Sequence, residues 1–322
     1  CEACHGEDSR FGLPVHIADR LPGNVVPDEH RSIRRLTHGQ ILADADGLRW
    51  QRFDAGDRYY IFGHSRSRWS DTAGFVLFAL TVLAILAHGG RRIHMRRRHP
   101  VAHVPGQRVY MYSLYERIWH WLMAAAVIAL LMTGLEIHAP GRFAPLGFSR
   151  AVTVHNFAAV VLVVNAFLAL FFHLATAAIL QFIPRKEGLL LSLANQIRYY
   201  THGIFLGHPH PTQKTVGRKL NPLQQITYLI LLNVLFPLQV VTGIAIWTAS
   251  KWPDIFAPLG ALSVLGPVHN MGSWLFLTFL VVHLYLTTTG HTVFSNLSAM
   301  VDGWDETPAI ATDSASEGGP HA

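Results

Sequence analysis

The stretch SVLGPVHNMGSWLFLTFLVVHLYLTTTG, residues Ser263–Gly290, decides how this chain folds. It is apolar enough, and longer than the roughly 20 residues needed, to cross a bilayer as one helix. It also carries two histidines, His269 and His283, which are 14 positions apart. At 3.6 residues per turn that spacing returns to within about 40° of the same helix face, with a rise of about 21 Å. Ionisable side chains inside a span are costly and tend to be functional. One helix therefore offers two imidazoles on one face at two depths.

Four more stretches of comparable character precede it, at about Thr72–His88, Arg117–His138, Ala151–Phe182 and Pro222–Thr248. Half of the 322 residues are hydrophobic and 14% are charged, against about 25% charged in an ordinary soluble domain. The expected fold is an all-α membrane protein of five transmembrane helices. Its expected parts are an extracytoplasmic segment 1–70, a first helix 71–90, a four-helix domain 110–295 and a disordered tail 302–322 rich in Ser, Gly, Ala and acid.

Basic residues orient the bundle. Arg91, Arg92, Arg96, Arg97, Arg98 and Arg108 follow the first span; Arg185, Lys186, Arg198, Lys214, Arg218 and Lys219 follow the third. The other two connections hold only Arg142 and Arg150, and Lys251. Both basic loops are thus expected in the cytoplasm of a bacterium, with the chain multi-pass in its inner membrane. The N-terminus then lies in the periplasm and the C-terminus in the cytoplasm. The net charge of +6 comes from these loops and calls for no nucleic acid. The chain opens on a cysteine with no leader in view, so a removed leader or a missing upstream part is expected.

The two cysteines, Cys1 and Cys4, are followed at once by His5. Cys-x-x-Cys-His is the attachment pattern of c-type haem, with two thioether bonds and an adjacent iron ligand. Other readings are a redox disulfide, half a zinc site completed by His16 or His30, or a lipidated Cys1. A covalent haem explains all three residues together. No methionine precedes Met95, so the sixth ligand would be His16, His30, His38 or His64. Bis-histidine ligation lowers the potential relative to His/Met.

Within the spans, His155 and His269 fall near the outer edge, and His120 and His283 toward the cytoplasm. Pairing by depth predicts two bis-histidine b-type haems. His173 is the competitor of His120, or else lines a quinone pocket or bonds a propionate. His138 precedes Ala139-Pro140-Gly141 and is expected to end its helix as a cap or surface residue. His88, His94, His99, His103, His202, His208 and His210 lie in or beside the basic loops and are expected to be solvated.

These residues resemble the bacterial di-haem cytochrome b family, the membrane anchors of formate dehydrogenases, nickel-iron hydrogenases and thiosulfate reductases. The resemblance covers about residues 110–295. It rests on Tyr115-Glu116-Arg117-Ile118-Trp119-His120-Trp121, Val154-His155-Asn156, Asn221-Pro222-Leu223-Gln224-Gln225, Val268-His269-Asn270 and Val282-His283-Leu284-Tyr285. It implies that the last helix gives one ligand to each haem. It also implies a quinone site (menaquinone or ubiquinone) near the cytoplasmic haem, at Asn221, Gln224 or Gln225 with Tyr228 and His173. Helix capping, with Asn221 as N-cap and Pro222 at the first helical position, is the competing reading.

The Cys1–His5 segment and the first span are additions to the family pattern. They lead to the expectation of electron transfer between quinone and a periplasmic redox protein or catalytic subunit, such as a multihaem cytochrome or a molybdenum/iron-sulfur enzyme. The rival expectations are a transmembrane reductase that uses no quinone, and a non-redox receptor or transporter whose histidines bind metal.

Overall fold

The computed structural model describes residues 67–100, 106–249, 252 and 261–307, and of the preceding part the backbone of three strands. Those strands, β1 (Val15–Ala18), β2 (Gly39–Asp44) and β3 (Gly47–Arg52), form an antiparallel sheet in the order β1-β3-β2. His16 lies in β1 opposite Arg49 of β3. Cys1, Cys4, His5, His30, His38 and His64 lie outside the described residues.

Among the described residues, five helical runs have the length and hydropathy of membrane spans: Arg68–Arg98, Leu114–His138, Phe148–Ala175, Pro222–Thr248 and Leu262–Thr287. The shortest, at 25 residues, extends about 37 Å at 1.5 Å per residue, enough for a hydrocarbon core of about 30 Å. The first, α1 (Arg68–Arg98), is longer at both ends than the expected 71–90. Its last turn holds Arg96, Arg97 and Arg98, where cations complement the negative end of the helix dipole, so the basic cluster continues the helix.

α2 (Leu114–His138) starts at a capping box. Glu116 N–H donates to Ser113 Oγ at 3.3 Å, and Ser113 N–H donates to Glu116 Oε2 at 2.8 Å, so two amides of the first turn are satisfied reciprocally. α3 is Phe148–Ala175, and α4 (Leu189–Thr201) is a shorter helix before the fourth span. That span is α5 (Pro222–Ile230), a π-helical turn at Leu231–Leu235, and α6 (Phe236–Thr248). Pro237 stands one residue past the π turn; it has no N–H to donate to the preceding turn, and the wider turn accommodates that loss. α7 spans Ala261–Thr287.

α8 (Ser295–Asp302) ends at Gly303, whose φ of 88° turns the chain. A Cβ there would meet the Tyr110 ring at 2.6 Å and the Tyr112 carbonyl oxygen at 2.7 Å, so glycine is required. The chain then forms β5 (Trp304–Thr307), antiparallel to β4 (Gln107–Tyr110). This corrects the boundary of the tail: order continues through Thr307, and residues 308–322 lie outside the described ones.

Buried positions on the spanning helices are mostly small, among them Ala126, Ala151, Ala158, Ala169 and Ala245, while Phe157, Phe167 and Phe171 are 71%, 70% and 67% exposed. That inversion suits lipid, where close helix approach through small residues drives packing and large apolar side chains face the acyl chains.

The chain divides into two compact units: Cys1–Thr72, Met132–His155 and Val241–Met271 form one, and Ala73–Leu131, Asn156–Val240 and Gly272–Ala322 the other. In the first, Asp71 Oδ1 accepts from Asn270 Nδ2 at 2.8 Å and lies 3.0 Å from His138 Nε2. His138 does end α2, as expected, and it also pairs with the added first helix. In the second, His88 contradicts its expected solvation. It stays on the helix face because α1 runs past it: Nδ1 bonds the Tyr285 hydroxyl, and Nε2 lies 2.7 Å from the Tyr200 carbonyl oxygen. Arg92, 8% exposed, donates to the Thr288 carbonyl at 2.7 Å. His210 is exposed, though its Nδ1 lies 2.6 Å from the Thr212 carbonyl oxygen; partial desolvation holds its pKa below the ordinary imidazole value.

Candidate haem and quinone sites

In the first unit, His155 of α3 faces His269 of α7 with ring centroids 6.4 Å apart and planes at 66°. Each imidazole is tied to another helix. His155 Nδ1 lies 2.9 Å from Thr133 Oγ1 of α2, and His269 Nδ1 lies 2.9 Å from Thr242 Oγ1 of α6. Each threonine is followed by a glycine against the same ring: a Cβ on Gly134 would lie 3.5 Å from His155 Cε1, and one on Gly243 would lie 3.3 Å from His269 Cε1. The site thus has the same Thr-Gly and histidine arrangement twice. Sequence reasoning overlooked both threonines, although Thr133-Gly134-Leu135 and Thr242-Gly243-Ile244 repeat one pattern on two spans.

In the second unit, His120 of α2 faces His283 of α7 with centroids 6.2 Å apart and planes at 49°. Phe279 stacks on His283 at 5.7 Å and 18°, and Trp121 meets the His120 ring edge-on at 5.3 Å. His120 Nδ1 is buried with no hydrogen-bond partner.

Both separations suit an iron held between two imidazoles. A metal–imidazole bond is about 2.0 Å and the ligating nitrogen sits roughly 1.2 Å from its ring centroid, so two opposed ligands place their centroids about 6.4 Å apart. Holding Nδ1 with an outer partner is the usual way a ligating histidine presents Nε2. By donor chemistry and spacing, both pairs fit a haem.

His173 is not brought opposite another histidine. It is 7% exposed; its Nδ1–H donates to the Ala169 carbonyl at 2.7 Å, and its ring contacts Trp119, Phe172 and Phe182. Phe182 also meets Tyr228, and Tyr228 meets Phe279. A continuous run of rings thus joins His173 and Tyr228 to His283.

The polar residues at the start of α5 divide. Asn221 Oδ1 accepts from Gln224 N–H at 2.9 Å, and Gln224 Oε1 accepts from Asn221 N–H at 3.0 Å. Those two side chains form a capping box with Pro222 at the first helical position, which satisfies the helix end. Gln225 is different. Its Nε2 donates to the Gln181 carbonyl at 2.7 Å, yet its Oε1 is buried without a partner. Gln225 also lines a cavity of about 160 Å³ with Arg185, Glu187, Ser192 and Arg218. The indole N–H of Trp119, beside His173, is similarly buried and unpartnered.

Residues 111–303 match the sequence family described as prokaryotic cytochrome b561. This chain belongs to that family. It is a multi-pass membrane cytochrome b, an electron-transfer subunit of a family that binds b-type haem. It is 32% identical over 246 residues to a protein of Escherichia coli K12 named putative cytochrome YdhU, covering 73% of this chain and 88% of that one. It is also 24% identical over 243 residues to a probable Ni/Fe-hydrogenase B-type cytochrome subunit of Rhizobium leguminosarum bv. viciae, covering 69% and 94%. A putative protein-methionine-sulfoxide reductase subunit, YedZ1 of Azospira oryzae, is 25% identical over 199 residues, covering 58% and 93%. The family match begins after α1, so the first helix and the Cys1–His5 segment are additions to it.

Proposed function

We propose that this cytochrome carries electrons between the quinone pool and a redox partner outside the cytoplasm, through two b-type haems and one c-type haem. The observation that carries the reading is the pair of opposed histidine couples, His155 with His269 and His120 with His283, both at the spacing of bis-imidazole ligation. A haem at each couple supplies a one-electron iron redox step. The protein's task is to hold the imidazoles and exclude water from them. The bundle lies in the bacterial inner membrane with its N-terminus periplasmic, so His155 and His269 serve the outer haem and His120 and His283 the inner one. Cys1, Cys4 and His5 hold the c-type haem outside, with His16, His30, His38 or His64 as its second axial ligand.

Quinone binds at the cytoplasmic end. Gln225 is the residue best placed for it, because its unpartnered Oε1 can accept from a quinol hydroxyl. Trp119 offers a buried donor, and His173 and Tyr228 line the ring run that leads to His283. Asn221 and Gln224 take the lesser part of shaping the helix entrance. Hydrogenase cytochrome relatives support a partner that is the catalytic subunit of a membrane complex.

The test is a pyridine haemochrome spectrum of the purified protein together with menaquinol-driven haem reduction. Two b haems per c haem are expected, with one haem retained on a denaturing gel and lost in C1A/C4A. Q225A should retain its haems and lose reduction by menaquinol. Reduction at the wild-type rate in Q225A would remove the quinone assignment, and a preparation without haem absorbance would sink the whole reading.

A further inference from the structure

A histidine that gives its Nε2 lone pair to a metal must carry its proton on Nδ1, and whatever accepts that proton's hydrogen bond fixes the tautomer and the ring orientation. The acceptor also acts on the metal. By drawing on the Nδ1–H bond it makes the imidazole a stronger donor, which stabilises ferric over ferrous iron and lowers the reduction potential.

The two histidine couples differ on this point. His155 and His269 both have a threonine hydroxyl at 2.9 Å from Nδ1, whereas His120 Nδ1 is buried with no partner. The threonines are themselves almost fully buried, Thr133 at 3% and Thr242 at 4% exposure. A buried hydroxyl is costly unless it is hydrogen-bonded. In an apolar helix it can donate to the carbonyl four residues back and still accept from a neighbour. Here two threonines on two different helices both lie against a histidine, each backed by a glycine that leaves room for the ring. A repeated arrangement of this kind points to the histidines as the reason for the threonines.

We infer that Thr133 and Thr242 are positioning residues: their hydroxyls accept from His155 and His269 Nδ1–H and depress the reduction potential of the haem between those histidines. At the His120 side of the other couple the corresponding hydrogen bond is missing. The bias favours passage of an electron from the His155/His269 centre to the His120/His283 centre, the direction that reduces quinone. The inference rests on the haem-ligand reading above and adds to it two residues and a direction.

Redox titration of the purified holoprotein tests it, with the two b components assigned by which one disappears in H269A and which in H283A. T133V/T242V should raise the potential of the H269A-sensitive component by at least tenfold in its reduction equilibrium constant, about 59 mV for one electron. The other component should stay where it is, and T133S/T242S, which keeps the hydroxyls, should restore the wild-type value. An unshifted potential in the valine variant, an equal shift of both components, or failure of serine to restore would each overturn the inference. Where the valine variant loses haem, the wild-type ferric EPR spectrum decides. The H269A-sensitive signal must report the stronger axial donor of the two, and the reverse order overturns the proposal. If H269A keeps both b haems, the ligand reading itself has failed; if H269A loses one and the threonine variants change nothing, only this inference has.

Discussion

The two histidine couples sit at nearly the same separation, 6.4 and 6.2 Å, but their rings are held in place by different means. At His155 and His269 the orientation is set by directional bonds to Thr133 and Thr242, with glycine behind each ring. At His120 and His283 it is set by aromatic packing, with Phe279 stacked on one ring and Trp121 edge-on to the other. A hydrogen bond at Nδ1 fixes rotation of the ring and would reach a ligated iron electronically. Aromatic contact fixes position, and at His120 Nδ1 it leaves the nitrogen without a hydrogen-bond partner. On the proposed ligation, one scaffold would provide two centres with the same ligands and different chemistry.

The largest effect that can break this comparison is loss of a ligand. H120A and H283A should each remove the same b haem, and H155A and H269A should each remove the other, taking the content from two per chain to one. H173A should leave both, since His173 is held by the Ala169 carbonyl and three aromatic rings. Haem b per polypeptide, measured as the pyridine haemochrome, checks all five variants. A haem lost in H173A and kept in H120A would reassign the ligand and dissolve the second couple.

A smaller effect concerns how α2 is anchored near His120. Lys219 bonds Glu116, and their side chains are 10% and 18% exposed; Glu116 also accepts from Ser113 N–H at 2.8 Å and Ser113 Oγ at 2.9 Å. Removing one partner of a mostly buried pair strands the other charge, which costs about 3–5 kcal/mol. K219M should lower thermal stability in detergent by that order, and E116Q/K219M should recover most of it. In the first unit, Asp71 and His138 are 26% and 20% exposed, and a partly solvated pair is worth about 1 kcal/mol or less. D71N should therefore be the milder lesion. Equal losses in K219M and D71N would show that the two anchors do not differ as their burial implies.

The five spans were legible because bilayer thickness imposes a length and an apolar composition that sequence displays directly. Asn221-Pro222 was legible as a helix start for the same kind of reason, since the cap is made by neighbours in the chain. The facing of His269 and His155 followed from helix period and depth. Thr133 and Thr242 were not legible, because a lone threonine in an apolar run reads as a self-satisfied side chain, and only its neighbour across the bundle reveals a second bond. His88 was misread for a similar reason. The arginines after it suggest a loop, but α1 continues through Arg98 and keeps the imidazole against Tyr285 and Tyr200. The strand at Trp304–Thr307 depends on a partner about 200 residues away, β4, which local composition cannot announce.

The smallest effect lies within the first couple, where the two Thr-Gly units are alike but not identical. A Cβ on Gly134 would lie in ordinary contact with His155 at 3.5 Å, while one on Gly243 would lie 3.3 Å from His269, tight enough that the ring must give way. Replacing a helical glycine by alanine gains up to about 1 kcal/mol of backbone preference. Overpacking a filled site costs about 1–3 kcal/mol. G134A should therefore be neutral or slightly stabilising. G243A should lose about 1 kcal/mol and shift the Soret band of the same haem, because the imagined methyl presses on a ring already fixed by Thr242 and cannot turn it without stretching that 2.9 Å bond. Thermal release of haem from the two variants, side by side, checks the order. If G134A proves the weaker protein, the close approach at His269 does not limit the site, and the pairing of threonine with glycine would be a packing convenience rather than a way of holding the ligand.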